Sequence, residues 1–565
     1  MAERQDRQTS SLGTRRLRSQ TVIFSLIVLA AWAARTLFLL RQQDHQQLVA
    51  TLLRGDAPAF LHFAASMIRG TPHDSGIPFH PPGFPFFLSA LLRLFGFQPG
   101  PAPPPAFALR MTMALTGALT CGLLYVLLKR LFGRGVALAS LPLSLFSFGH
   151  YVQSTSVCSE SFYLLLVVAV TLGLVGLTQG WERASASPAP HPDSGKNPRA
   201  SLRTSRKPSA APGRILGPKR IALAASLGLL AGWAALTRAE FILTAILMMA
   251  VLIRVGGRKQ LRPAAAFLLV FLLTMIPWTV RCHQSIGAVN RANAARLPRP
   301  LPRLVLVTGY GPLNFATANN DFATGAFDTR LIDRLVPNRE GNYLDLADPN
   351  INHLYIDGYR IGLSWMRDHP MQALALSARK IYLASHALAL GYLQDDLPAG
   401  LSGERRPVDQ FVPGSRWFIW VHLALLTLGF WRLARGRASP VRKRTRSAAA
   451  SGTGSQAWLF MLPHAITTLL VIVGFFGYVR LGLLLAPVLW AMEGAGLLAL
   501  AEVVPWPTSW RRHPGRIIAA GIVGILLLEA AATASGPRSY VSSGPMIPGT
   551  GRINPDELVQ IRARR

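Results

Sequence analysis

This chain of 565 residues has few cysteines and, beside its bases, few acids. Its three cysteines, Cys121, Cys158 and Cys282, give no zinc-ligand spacing and no disulfide framework. Cys158 and Cys282 fall near the same expected membrane face, but a bridge between them is not expected. Charged residues of both signs make up 15% of the chain against 50% hydrophobic residues, which excludes an ordinary soluble domain and fits a polytopic membrane protein. The first 20 residues lack a small-residue cleavage site, and the apolar run Thr21–Leu40 is too long for the core of a signal peptide, so it reads as a retained span. No inverted repeat is visible. The scarcity of acid, 26 residues against 59 Lys and Arg, leaves a net charge of +33, which in a soluble chain would point to nucleic acid. Its distribution excludes that partner. Segments 1–20, 129–134, 181–220, 254–262, 432–446 and 511–516 hold 31 of the basic residues and only four acids (Glu3, Asp6, Glu182, Asp193). Such concentration in short connections is the cytoplasmic signature of a membrane protein.

Runs of about 20 apolar residues cross a bilayer. Besides 21–40, spans are expected at about 107–128, 135–153, 161–179, 221–236, 239–253, 263–279, 415–431, 457–475, 482–502 and 517–534. About 11 transmembrane helices, with the N-terminus cytoplasmic and the tail 535–565 outside, satisfy every basic loop. Residues 181–220, rich in Ser, Pro and basic residues, read as a disordered cytoplasmic linker within an N-terminal module 21–280. Segment 281–413 is nearly charge-balanced and long enough to escape the positive-inside count, so it reads as a small outer-face domain. Residues 414–534 supply the C-terminal transmembrane helices.

The first outer loop, 41–104, contains a stretch too polar to span and too apolar for a water-filled loop. In GDAPAFLHFAASMIRG, Phe60, Phe63, Ala64 and Met67 share one helical face. A Pro-Pro-Gly break follows, then FPFFLSALLRLFGF. Two short interfacial helices are expected, with Asp56 at the head of the first.

Ionisable residues at the ends of spans are functional candidates. The span count brings Arg35, Asp56, Arg110, Glu160, Arg238, Glu240, Arg281, Lys380 and Arg480 near one depth. Carboxylates can take the proton of an attacking hydroxyl, and Arg or Lys can hold a phosphate leaving group. A membrane groove would hold a lipid tail, so group transfer from a lipid phosphate suits the cluster. Charge placement alone does not identify the transferred group.

The ordered pieces GDAPAFLHFAASMIRG, HPPGFPFFLSALLRLFG, Ser159-Glu160, GWAALTRAEF, PWTVRCHQSIGAV, GPLNFATANNDFATG, DHPMQALALSARKIYL and YVRLGLLLAPVL resemble the GT-C superfamily of integral-membrane glycosyltransferases, nearest its bacterial protein-mannosyltransferase and aminoarabinose-transferase branch (glycosyltransferase family 39 and relatives). The resemblance implies an all-α polytopic GT-C fold and inverting transfer of a sugar from a polyprenyl-phosphate donor to an acceptor hydroxyl at the outer face of the plasma membrane. It implies Asp56 as catalytic base, Glu160 as a second site acid, and Arg238, Arg281, Lys380 and Arg480 as donor-phosphate ligands. Arg35, His80, Asn314 and Asn319 are expected in the substrate pocket. No metal ligand set is evident, a divalent cation is a candidate cofactor, and the acceptor is a glycan, lipid or protein. Here Ala318 stands where relatives often have Gly, and Leu481-Gly482 where they often have an aromatic residue and a second Arg.

Blander roles compete for the same residues. Asp56 suits a helix N-cap, Glu160 an N-terminal helix charge, Arg238 a structural pair with Glu240 or Glu160, Arg281 an anchor beside Trp278, and Lys380 a snorkelling position. Asp44 and Asp74 rank below Asp56, and Asp395-Asp396 reads as a solvated loop. His464 and Glu493 are expected to form a buried structural pair. A transporter or lipid flippase is the rival reading, although such proteins place polar sites at the midplane between repeats.

Overall fold

A computed structural model describes residues 2–40, 56–71, 76–98, 105–185, 216–327, 329–336, 345–385, 418–434, 457–477 and 479–503, together with Val523 and Leu527. The expectations for Asp44, Asp74, most of the 181–220 linker, Asp395-Asp396, the eleventh span and the tail 535–565 lie outside these residues. The linker's edges are helical. One long helix continues to Ser185 and the next begins at Leu216.

The described residues form an all-helical protein. In chain order the helices are α1 (Ala2–Leu40), α2 (Ala57–Arg69), α3 (Gly83–Leu94), α4 (Ala106–Leu131), α5 (Arg134–Phe146), α6 (Phe148–Thr155), α7 (Ser159–Ser185), α8 (Leu216–Thr237), α9 (Phe241–Gly256), α10 (Leu261–Ala292), α11 (Gly311–Ala318), α12 (Arg330–Leu335), α13 (Pro349–Asp368), α14 (Pro370–Ser385), α15 (Phe418–Ala434), α16 (Leu462–Gly474), α17 (Val479–Gly482) and α18 (Ala486–Val503). Among the described residues, six helical stretches are long and apolar enough to cross a membrane, and a seventh forms if the bent pair α5–α6 is one span. One of them, Phe241–Ala292, takes in both the sixth and the seventh expected spans. The expected third span breaks at Ser147, whose extended backbone turns α6 by 66° from α5. The expected eighth and ninth are the shorter apolar helices α15 and α16. Multiple spanning-capable helices make this a multi-pass membrane protein.

The bundle is built by neighbour packing: α1 against α4, α4 against α7, α8 against α10, and α5 and α15 against α18. Small residues allow the last contact. A Cβ on Gly429 would lie 1.8 Å from the Met492 carbonyl oxygen, and one on Gly496 would lie 2.1 Å from that of Leu425. The same interface encloses His422 Nδ1 and Glu493 Oε1, 2.7 Å apart. Glu493 therefore pairs with His422, not with His464 as expected. His464 turns its Nε2 to the Leu484 carbonyl, 2.8 Å away, because its helix presents it to the α17–α18 connection. All three cysteines are free thiols, and Cys158 Sγ donates to the Gln153 carbonyl.

Helices α2 and α3 are the two short amphipathic helices expected after Asp56. Phe60, Phe63 and Ala64 are buried as the periodicity predicts, and each buried Phe contributes about 1.5–3 kcal/mol. Pro58 starts the helix and left-handed Gly70 (φ 68°) ends it, its N–H returning to Met67 and Ser66 carbonyls. Gly83 opens α3 against the end of α8. A Cβ there would fall 2.6 Å from the Thr237 nitrogen, and Trp233 Nε1 donates to the Gly83 carbonyl at 2.9 Å. The first loop is thereby fixed on the turn that carries Arg238.

Helix α10 runs through Ala292, well past the boundary expected at 280, and leads into a lobe made of α11 to α14. A strap of this lobe bonds back to the first loop. Gly309 N donates to the Pro78 carbonyl at 3.0 Å and Thr308 Oγ1 to that of Phe79 at 2.6 Å.

Candidate active site

Asp56 occupies the N-cap position of α2, but its side chain makes no capping bond. Its Oδ2 instead accepts from Arg480 Nη1 at 2.9 Å, across 424 residues of sequence. The backbone thus starts the helix while the carboxylate pairs with Arg480. The side chain keeps 41% of its surface accessible, and Arg480 keeps 45%. A partner pair open to solvent can be separated by an incoming ligand.

From Arg480 the charges alternate. Its Nε lies 3.7 Å from Glu160 Oε1, Arg238 Nη1 lies 3.1 Å from the same oxygen, and Arg238 Nε lies 2.5 Å from Glu240 Oε1. Glu160 is delivered by the first turn of α7 and is almost fully buried, Arg238 and Glu240 by the α8–α9 turn, and Arg480 by α17. The Arg238 guanidinium also lies 5.7 Å from the centre of the Tyr163 ring. Burial would loosen its proton, and Glu240 and Glu160 more than reverse that effect.

Burial also pushes the Asp56 carboxyl up, but Arg480, His80 and Arg238 together outweigh it and hold it below the usual carboxylate range. His80 sits in an aromatic cradle, its ring 4.8 Å from Phe60 and 4.4 Å from Phe79. Burial keeps its pKa low; Asp56 opposes this and Arg480 adds to it. Near neutral pH His80 is thus an uncharged neighbour of an ionised carboxylate.

The other expected site residues make contacts of their own. Arg281 stacks over Trp278, 4.7 Å from its ring centre, in the anchoring position. Lys380 is fully buried and does not snorkel. Its Nζ donates to Asn319 Oδ1 at 2.9 Å and to the Val473 carbonyl at 3.0 Å. Asn319 spends its own amide on the Phe315 and Gly474 carbonyls. These two residues join the lobe to α16. Arg35, expected in the pocket, has 0% exposure among α4 and α6 side chains. Asn314 lies half-buried on α11. Glu240, gathered by the span count, and Gln153, which it did not single out, enter the site region. Glu240 was visible as an acid two residues from Arg238, whereas nothing in YVQSTS marked Gln153.

Burial lowers the Lys380 amine to about 8. An unfolded lysine titrates near about 10.4. Between these values the unfolded chain binds the proton that the folded amine has lost, so this group makes stability rise with pH from about 8 upward and leaves it flat below. Lys380→Met is expected to abolish that rise and to cost about 1–3 kcal/mol by stranding the Asn319 and Val473 oxygens. Thermal unfolding at a series of pH values checks both.

Among the described residues no three or more His, Cys, Asp or Glu side chains gather as a metal-ligand set. The space between the Asp56 and Glu160 carboxylates is filled by the Arg480 guanidinium. A partly exposed acid paired with a guanidinium group beside membrane-spanning helices is equipped for proton abstraction and for holding an anionic leaving group.

Residues 79–183 match the family model for dolichyl-phosphate-mannose-protein mannosyltransferase. The match bears out the resemblance to the GT-C superfamily of membrane glycosyltransferases, over the segment that runs from His80 through Glu160 and α7. The chain is also similar to solved structures of the oligosaccharyltransferase from Archaeoglobus fulgidus. One, AglB in complex with an inhibitory peptide and a dolichol-phosphate, aligns at 13% identity and TM-score 0.44 over 91% of this chain and 56% of its own. Another, a complex with Zn and sulfate, aligns at 12% identity and TM-score 0.47 over 92% and 54%. The chain thus spans about half the length of these proteins. No curated protein matches.

Proposed function

We propose that the protein is an inverting glycosyltransferase that moves a sugar from a polyprenyl-phosphate donor to an acceptor hydroxyl at the outer face of the plasma membrane. The observation that carries this reading is the solvent-open Asp56–Arg480 pair, backed by Glu160 and Arg238. The family match over residues 79–183 supports the donor class, since that family's name specifies a dolichyl-phosphate sugar. The basic short connections support a cytoplasmic N-terminus and hence a site on the opposite face.

In this mechanism the donor phosphate competes with Asp56 for the Arg480 guanidinium. As Arg480 turns to the phosphate, Asp56 loses the neighbour that most weakens it as a base. The freed carboxylate takes the proton of the acceptor hydroxyl. The acceptor oxygen bonds to the anomeric carbon from the face opposite the leaving group, while the bond from that carbon to the phosphate oxygen breaks. The electron pair leaves with the lipid phosphate, against Arg480 and, beyond it, Arg238. Glu160 holds both guanidinium groups in place between turnovers. A divalent cation is not required by the groups just named and remains a candidate cofactor to be tested by chelation.

Purified protein in lipid nanodiscs, given radiolabelled polyprenyl-phosphate sugars and envelope extracts, is expected to release free polyprenyl phosphate in step with label appearing in a glycan, lipid or protein. Movement of intact lipid-linked sugar across a vesicle membrane, with no bond broken, would overturn the reading in favour of a flippase.

A further inference from the structure

Arg35 and Arg110 are large cations sealed inside the bundle, at 0% and 1% exposure, and the reaction just described gives neither a task. They converge on one element, the eight-residue helix α6. Arg35 Nε donates to Ser154 Oγ at 2.8 Å, its Nη2 lies 3.0 Å from His150 Nδ1, and its guanidinium lies 4.8 Å from the centre of the Tyr151 ring. Nη1 ties the same group back to the Ala31 carbonyl at 3.0 Å. Arg110 donates from α4 to the carbonyl of Thr155, the last residue of α6, at 2.9 Å. A helix this short is marginal by itself, so its direction is set by these contacts. Gly117 leaves the room for them. A Cβ there would fall 2.4 Å from Ser154 Cβ and 3.1 Å from Arg35 Nε.

Next to Ser154 on the clamped helix stands Gln153, whose Nε2 donates to the backbone carbonyl of Arg480 at 3.2 Å. Among the described residues its Oε1 is buried with no hydrogen-bond partner. An orphaned acceptor is a cost, and a methionine of similar length would fill the same space without it. The glutamine is therefore poorly suited to packing alone and well suited to its one bond, the bond that reaches the residue paired with Asp56.

We propose that Arg35 and Arg110 are positioning residues: they clamp α6 so that Gln153 holds Arg480 against Asp56. The consequence for turnover rests on the base role proposed above, whereas the mechanical coupling does not. It can be read without turnover by dicyclohexylcarbodiimide, which modifies protonated carboxyl groups. The groups facing Asp56 are Arg480, His80 and Arg238, and loosening the first raises its protonated fraction.

In full-length protein in nanodiscs, Gln153→Met is expected to unfold at the same or a higher temperature. Asp56 should nevertheless be labelled severalfold faster near neutral pH, because a weaker Arg480 pairing raises its protonated fraction. Mass spectrometry of the Asp56 peptide reads the rate. Gly117→Ala, which crowds Ser154 and Arg35 from the far side, should move it in the same direction. Unchanged labelling in both variants overturns the clamp, whatever the transfer rate. Faster labelling supports it even if the parent protein transfers no sugar, an outcome that would count against the proposed function alone.

Discussion

Asp56→Asn is expected to insert and fold, less stable than the parent above acid pH, and to transfer sugar about 10²–10⁴ times more slowly, the contribution of a positioned general base. The substitution keeps the shape of the side chain and an oxygen able to accept from Arg480, which lies 2.9 Å away in the parent. It also leaves α2 intact, because the Asp56 side chain makes no capping bond. What it removes is the ability to take a proton. The measurement is single-turnover transfer from a radiolabelled polyprenyl-phosphate sugar, with donor binding measured separately. Parent-like turnover in a folded variant would remove Asp56 from the mechanism. A loss of folding would show the carboxylate to be structural. Since its pKa is depressed in the folded protein, its stabilising contribution is present above the unfolded value and lost as pH falls through the folded one. Parent and Asn variant should accordingly converge in stability only in acid.

Arg480→Lys is expected to lower transfer by about 10²–10³-fold, the range found when one donor to a developing oxyanion is removed. A lysine retains the charge but is a point donor, unable to present two nitrogens to Asp56 and Glu160 as the guanidinium does at 2.9 and 3.7 Å. The pH profile separates this residue's two tasks. In the parent, free Asp56 is held low by Arg480, so the acid limb of kcat/KM should lie at low pH. Once the donor phosphate has drawn Arg480 away, the limb of kcat should lie higher. In the lysine variant the two limbs should approach each other, because the resting pair is already weakened. Identical limbs in the parent would mean that donor and base do not share Arg480.

The sequence supplied depth and left azimuth open, and that difference sorts the successes from the corrections. Asp56, Glu160, Arg238, Glu240 and Arg480 sit at ends of helices, where every direction leads to the same turn region, so a span count sufficed to gather them. Arg35, Arg110 and Lys380 were expected near the same depth, but each helix is rotated so that the side chain enters the protein interior. His464 and Glu493 were matched by height as well, and Glu493 proved to face α15. The short amphipathic helices were legible because periodicity reports rotation directly: the face containing Phe60, Phe63 and Ala64 is the buried one. The break at Ser147 was not legible, because α5 and α6 together have the length and composition of an unbroken span.

Helix α10 has 32 residues. At 1.5 Å per residue it measures about 48 Å, against about 30 Å of hydrocarbon in a bilayer. Its far end, where Asn290 exchanges two 2.9 Å hydrogen bonds with Leu301, is fastened to the start of the lobe. The lobe in turn is strapped to the segment before His80 through Pro78 and Phe79. Helix α10 therefore acts as a mast stepped in the membrane, and the height of the rigging around Asp56 is counted in its residues. One residue added within it would lift the lobe by about 1.5 Å and swing it by about 100°. A chain of this design tolerates changes in its connections far better than a change in the length of that single spar.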